Sequence, residues 1–147
     1  MFVIETATAG SEELTAAIGR LLPHLSKSAP APTDAEVAEI ATSPATVLFI
    51  ARDGEGGPIV GTLTLAIFRI PTAVRAWIED VIVDPAVEGR GLGGQLTTAA
   101  LEHARQAGAK TVELTSRPSR EAANHLYQKL GFQIRDTNVY RYELPAT

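Results

Sequence analysis

A chain of 147 residues with 45% hydrophobic side chains has the size and apolar content of one globular domain around one core. Its formal net charge of −4 excludes the global basic field that draws proteins to nucleic acid or to anionic membranes. The absence of cysteine excludes disulfides, thiolate metal sites and any cysteine nucleophile.

Phe2, Val3 and Ile4 read as a short first strand. Ser11 opens a helix that carries Leu14, Ile18, Leu21 and Leu25 on one face, with a break or kink at Pro23. Thr33, Asp34, Ala35 and Glu36 spell a capping box for a second helix, in which Val37, Ile40 and Ala41 face inward up to Pro44. Residues 46–51 and 59–70 read as strands joined by the glycine-rich turn 53–57, an antiparallel hairpin that Pro71 ends. Residues 75–83 form the next strand. A helix follows with Leu92, Leu96, Ala99, Ala100, His103 and Ala104 inward, stopped at Gly108. Residues 111–115 read as a strand. A helix then carries Ala122, Ala123, Leu126 and Leu130 inward and closes at Gly131. Residues 132–134 and 139–144 read as two closing strands. The order β-α-α-β-β-β-α-β-α-β-β predicts an α/β fold with a mixed sheet and helices on both faces, built as a single domain over 1–147.

The first residues lack the basic and apolar stretches of a signal peptide. No run approaches the ~18 apolar residues of a membrane span. His24, His103 and His125 share no metal-ligand spacing, so no metal is expected. A cytoplasmic protein is the expectation, without nucleic-acid or membrane partners; a homodimer is allowed.

Residues 81–96 carry the most chemistry. A β-branched run stops at Asp84-Pro85, four glycines follow between Gly89 and Gly94, and a helix starts directly behind them. That order exposes backbone N–H groups at the positive end of a helix, where a phosphate is favoured. Gly89, Gly91 and Gly94 satisfy the dinucleotide spacing G-x-G-x-x-G, with Glu113 near the place of a ribose-binding acid. Against that reading, Asp84 to Glu88 separate the glycines from the strand. The triphosphate P-loop fails because Gln95 and Leu96 stand where Lys and Ser/Thr are needed.

Two segments together resemble the GCN5-related N-acetyltransferases. That family's glycine motif, [Q/R]-x-x-G-x-[G/A] after a strand ending in Val-Asp-Pro, reads here Glu88-Gly89-Arg90-Gly91-Leu92-Gly93. Its second marker, A-x-x-L-Y-x-K-x-G-F, reads Ala123 through Leu126-Tyr127, Lys129 and Gly131-Phe132. The resemblance covers essentially the whole chain and implies the acyl-CoA N-acyltransferase fold. Glu88 departs from the motif, which prefers Gln or Arg there, and Arg90 offers a compensating charge.

The resemblance implies acetyl-CoA, or another short acyl-CoA, as co-substrate and no metal. Its pyrophosphate would rest on Glu88, Gly89, Arg90, Gly91, Leu92, Gly93 and Gly94. Its pantetheine arm would pair with the backbone of Val81, Ile82 and Val83, and Arg120 and Asn124 are further cofactor contacts. Tyr127 matches the tyrosine that lies near the CoA sulfur and serves as general acid. Ile78-Glu79-Asp80-Val81 resembles the polyamine branch, which assigns Glu79 as base, directly or through water. Strict alternation along this strand would put Arg75, Trp77, Glu79, Val81 and Val83 on one face, and Ala76, Ile78, Asp80 and Ile82 on the other. The implied reaction is direct acetyl transfer to a primary amine of a small molecule or peptide, the acceptor groove being shaped by the early helices and the loops near Pro71 and Asn138. A non-catalytic acyl-CoA sensor and a dinucleotide-dependent oxidoreductase are the alternative readings.

Overall fold

The computed structural model describes residues 1–146. Two compact units divide the chain, Met1–Thr115 and the residues from Ser116 onward.

The first unit is a five-stranded sheet with three helices. Its strands are β1 (Phe2–Ala7), β2 (Thr46–Asp53), β3 (Ile59–Ile70), β4 (Ala73–Val83) and β5 (Thr111–Glu113), in the spatial order β1-β2-β3-β4-β5. The first four pair antiparallel, as short connections permit, and β5 runs parallel to β4 after a helical crossover. Helix α1 (Glu12–Leu21) starts at Ser11, whose hydroxyl accepts from the Leu14 N–H at 3.1 Å. It passes into one turn of 3-10 helix, Leu22–His24, at Pro23. Helix α2 (Asp34–Thr42) opens on the complete capping box of Thr33 and Glu36. Helix α3 (Leu92–Gln106) is the crossover.

Each face of the sheet buries its own layer. Leu14, Ala17, Ile18 and Leu21 of α1 and Val37 of α2 pack with Leu48, Ile50 and Ile82. On the opposite face Gly61 lies under α3, where an added Cβ would stand 2.9 Å from a Leu92 methyl and 3.2 Å from a Leu96 methyl. Leu21, Leu63, Leu65, Leu92 and Leu96 are fully buried, and each contributes about 1.5–3 kcal/mol by leaving water.

The second unit holds helix α4 (Glu121–Lys129). The strands expected at 132–134 and 139–144 are not formed, and residues 132–146 contain no regular element. Val139, Tyr140, Tyr142 and Leu144 have the β propensity the sequence suggested, yet all four are exposed. Propensity specifies a strand only together with a partner edge and a surface to pack on, and no ladder among the described residues includes this segment. The mixed α/β architecture therefore stands on five strands and four helices.

Candidate functional site

The glycine segment is anchored at its entry. Asp84 donates its backbone N–H to the Val60 carbonyl at 2.8 Å, and its carboxylate accepts from the Ala86 N–H at 2.9 Å. Arg20, in the last turn of α1, pairs with that carboxylate at 2.9 Å and also donates to the Ile59 carbonyl at 2.7 Å. A short 3-10 turn, Pro85–Val87, then leads to Glu88, which is exposed.

Gly89 and Gly91 both lie in the left-handed region, at φ of 82° and 83°. Side chains other than glycine are strained there, so the motif glycines are required by the backbone path. Gly91 is the N-cap of α3 and has no side chain to satisfy the helix's first N–H groups. Helices α1 and α2 use Ser11 and Thr33 for that purpose. Nothing lies within 4 Å of the Cβ positions of Gly89 and Gly91, so the turn faces open space. Unfilled helix-terminal donors beside open space make a cradle for an anion. The Arg90 guanidinium turns to β1 and β2. It forks onto the Asp53 carboxylate, at 3.2 Å for each nitrogen, and its Cζ sits 4.5 Å from the centroid of the Phe2 ring.

A bulge in β4 corrects the expected alternation. Thr64 stands opposite Glu79 and Thr62 opposite Ile82, so three residues of β4 span two of β3. Asp80 absorbs the extra residue at φ 48°, the one described non-glycine residue with positive φ. Glu79 therefore shares a face with Arg75, Trp77 and Ile82, the face covered by α1 and α2. Val83 stands opposite Gly61 on the α3 face, parted from Glu79. Glu79 and Asp80 are both exposed. Strand β5 accompanies β4 only at Arg75, Ala76 and Trp77. Beyond Trp77 the outer edge of β4, where Val81, Ile82 and Val83 lie, is not paired by β5.

In the second unit the marker around Tyr127 has a local physical purpose. The Phe132 N–H donates to the Tyr127 carbonyl at 3.0 Å, and the Gly131 N–H donates to the Gln128 carbonyl at 3.1 Å. With Gly131 at φ 105°, this is a Schellman closure of α4. It brings the Phe132 ring edge-on to Tyr127, with 5.7 Å between centroids. Burial pushes the Tyr127 hydroxyl above its ordinary value, with the positive charge of Arg120 pulling the other way. Asn124 donates through its amide nitrogen to the Arg117 and Arg120 carbonyls, 2.8 Å each. Its nitrogen thus braces the turn that starts α4, leaving the amide oxygen for other use. Arg120 is the exposed N-cap residue of that helix.

Residues 17–132 match the Acetyltransferase (GNAT) family. The chain belongs to the GNAT family. It is 30% identical to an acetyltransferase of Trypanosoma brucei, with a TM-score of 0.78 over 98% of this chain and 100% of that one. It is 32% identical over 92 residues to a mycothiol acetyltransferase of Propionibacterium freudenreichii, covering 63% of this chain and 29% of that protein. A mycothiol acetyltransferase of Nocardiopsis dassonvillei is 49% identical over 57 residues, 39% of this chain and 17% of that protein. The chain thus spans less than a third of the length of these mycothiol acetyltransferases.

Sequence reasoning placed the GNAT glycine loop but missed Phe2 and Asp53, which hold its arginine. They face each other as cross-strand partners at the ends of β1 and β2, and nothing local in the sequence signals a tie between residues 2, 53 and 90. No helix among the described residues is long and apolar enough to cross a membrane. Among the same residues, no cluster of three or more His, Asp or Glu could hold a metal ion.

Proposed function

We propose that this GNAT protein transfers an acetyl group from acetyl-CoA directly to a primary amine of a small molecule or peptide. One observation carries the reading. The left-handed turn at Gly89 and Gly91 opens onto the uncapped start of α3, beside the strand edge that β5 leaves. A pyrophosphate suits the first feature and an extended pantetheine arm the second.

In this reading the N–H groups from Gly89 to Gly94 bind the pyrophosphate, and the backbone of Val81, Ile82 and Val83 orients the arm. Glu79 takes a proton from the acceptor ammonium, directly or through water. The amine nitrogen then forms its bond to the acetyl carbon as the carbon–sulfur bond breaks, and it sheds its second proton to solvent, which afterwards returns one to Tyr127. Tyr127 gives its proton to the departing thiolate, and its raised pKa keeps that proton in place at neutral pH. No step needs an acyl-enzyme, in keeping with a chain that has no cysteine. Glu88 is the unfavourable element, a carboxylate close to the anion, so the backbone supplies most of the attraction. The mycothiol acetyltransferases among the relatives favour a small-molecule acceptor.

We further read the protein as a homodimer in the cytoplasm. Ile134, Val139, Tyr140, Tyr142 and Leu144 are between 71% and 88% exposed, an apolar series that association with a second copy would cover. Light scattering at micromolar concentration tests this, and a monomer would end it.

The central experiment titrates the protein calorimetrically with acetyl-CoA and with NADH, then follows thiol release against a panel of amines. Binding of acetyl-CoA together with amine-dependent thiol release supports the reading. Binding without turnover for any amine favours the acyl-CoA sensor. NADH binding without acetyl-CoA binding would favour the oxidoreductase.

A further inference from the structure

Arg90 stands between two left-handed glycines, in the middle of the turn that the proposed function uses. An arginine there would be expected to reach outward for the phosphates. Its guanidinium instead has a fitted receptor within the first unit. Phe2 and Asp53 are direct cross-strand partners, so their side chains leave the sheet on the same face and side by side. The Asp53 carboxylate takes the guanidinium fork through both oxygens, at 3.2 Å each, while the Phe2 ring lies under its plane at 4.5 Å. A planar fork over an aromatic face is a geometry that lysine does not reproduce.

The receptor is itself fixed. The Asp53 N–H donates to the Pro58 carbonyl at 3.0 Å, and the Gly54 N–H donates to the Met1 carbonyl at 2.9 Å. The turn after β2 and the start of β1 therefore hold still relative to each other. By contrast, the turn at Gly89 and Gly91, between the anchored entry at Asp84 and the buried Leu92, has little of its own to restrain it. Gly89 and Gly91 have no side chains, and their Cβ positions meet nothing within 4 Å. An unrestrained turn would lose its donor arrangement between ligands and would spend binding energy restoring it. Between Gly89 and Gly91 the tether at Arg90 is the side-chain restraint that the structure shows.

We propose that Phe2 and Asp53 are positioning residues that latch Arg90 and so hold the anion cradle in its binding form before the ligand arrives. The inference rests on the proposed reading of the cradle as an acyl-CoA pyrophosphate site. Its effect is on cofactor affinity, because Phe2 and Asp53 lie on β1 and β2, away from the β4 residues to which the proposed reading gives the chemistry.

The test compares the wild type with Asp53→Asn and Phe2→Leu, and uses Arg90→Met to close a cycle with Asp53→Asn. Amide hydrogen exchange of Gly89, Arg90 and Gly91 in the ligand-free protein should quicken in each single variant. The KM for acetyl-CoA should rise about three- to tenfold, the worth of an exposed charge pair with a cation–π contact, while kcat stays within about twofold. The double variant Asp53→Asn/Arg90→Met should be no worse than Arg90→Met alone. Unchanged exchange and unchanged KM in Asp53→Asn would overturn the latch. A lowered KM in Asp53→Asn would also overturn it, since Arg90 would then be a phosphate ligand that Asp53 withholds. If the wild type ignores acetyl-CoA, the proposed function fails, and the exchange rates alone decide the latch.

Discussion

Glu79 and Ile82 stand on the same face of β4 although they are three positions apart, because their partners Thr64 and Thr62 are two apart. Glu79 continues the face of Arg75 and Trp77, the face of α1 and α2, and the bulge at Asp80 brings Ile82 into the core of that same face. In the proposed reading it separates two tasks along one strand. Glu79 is presented before the bulge, and the backbone of Val81 to Val83 is presented after it.

If Glu79 is the base, Glu79→Gln should lower kcat by about 10²–10⁴, the usual worth of a general base, with little change in the KM for acetyl-CoA. Asp80→Asn should lower kcat by less than about tenfold, since the bulge separates it from that role. Steady-state kinetics on the two variants check the assignment, and a kcat that is unchanged in Glu79→Gln would move the base elsewhere.

The backbone at Asp80 gives a second expectation. Its φ of 48° is tolerated by Asp but is costly for a β-branched side chain. Asp80→Gly should leave unfolding free energy within about 1 kcal/mol of the wild type, while Asp80→Val should lose about 2–3 kcal/mol. Urea unfolding of the two variants measures both. Equal losses would mean that the side chain, and not the backbone, matters there.

The bulge also marks where the sequence stopped being legible. Helix starts at Ser11 and Thr33, the break at Pro23 and the glycine turn before α3 are written in local chemistry, and the structure forms each of them. The faces of Ile82 and Val83 were not readable, because alternation, intact from Arg75 to Glu79, is then interrupted by one residue in a segment that contains neither glycine nor proline. The closing strands failed for the opposite reason: residues 139–144 have a strand's composition, and strand formation depends on a partner that composition does not name. The latch on Arg90 joins residues 2, 53 and 90 through tertiary geometry alone. The Tyr127 marker was legible as a motif, but its purpose, a helix end that seats one ring against another, became clear only from the hydrogen bonds of Gly131 and Phe132.

Gly61 couples the core to the cradle. A Cβ there would meet a Leu92 methyl at 2.9 Å and the Ile82 carbonyl oxygen at 3.2 Å. Leu92 is the first residue of α3 and is buried, so it has little room to yield. Gly61→Ala should destabilise the protein by about 1–3 kcal/mol through overpacking and should raise the KM for acetyl-CoA by displacing the start of α3. Thermal unfolding and steady-state kinetics on the same preparation check the pair of effects. A loss of stability with an unaltered KM would show that the helix start does not move.

Arg52 ties three elements together. It donates to Glu5 of β1 at 2.8 Å, forks onto Glu13 of α1 at 2.7 and 3.1 Å, and donates to the Gly57 carbonyl at 3.0 Å. Its hydrogen bonds hold the Glu13 carboxyl below its ordinary value. A lowered folded-state pKa stabilises above the unfolded value, 4.5, and that advantage is lost as pH falls through the folded value. The melting temperature of the wild type should therefore exceed that of Glu13→Gln at neutral pH, and the gap should close as pH drops below about 4. High salt should narrow it as well, since the pair is exposed. A gap that is constant from pH 7 to pH 3 would mean that the Glu13 charge contributes nothing.

In the proposed reading Tyr127 joins the chemistry to the helix end that seats it. Tyr127→Phe removes the hydroxyl but keeps the ring that meets Phe132, so the fold and acetyl-CoA affinity should persist while kcat falls about 10²-fold or more. Phe132→Leu keeps the hydroxyl and loosens its seat; kcat should fall by a smaller factor, because Gly131 still closes the helix. The pH dependence separates the two variants. Burial raises the hydroxyl's pKa above 10.0, so the acid stays protonated, and kcat should hold, until the pH passes that raised value. Loosening the seat in Phe132→Leu admits water, which returns the pKa toward its ordinary value and moves the basic limb of the kcat profile to lower pH. In Tyr127→Phe that limb should vanish. A basic limb that survives in Tyr127→Phe at its original pH would assign the proton to another group and leave Tyr127 a packing residue.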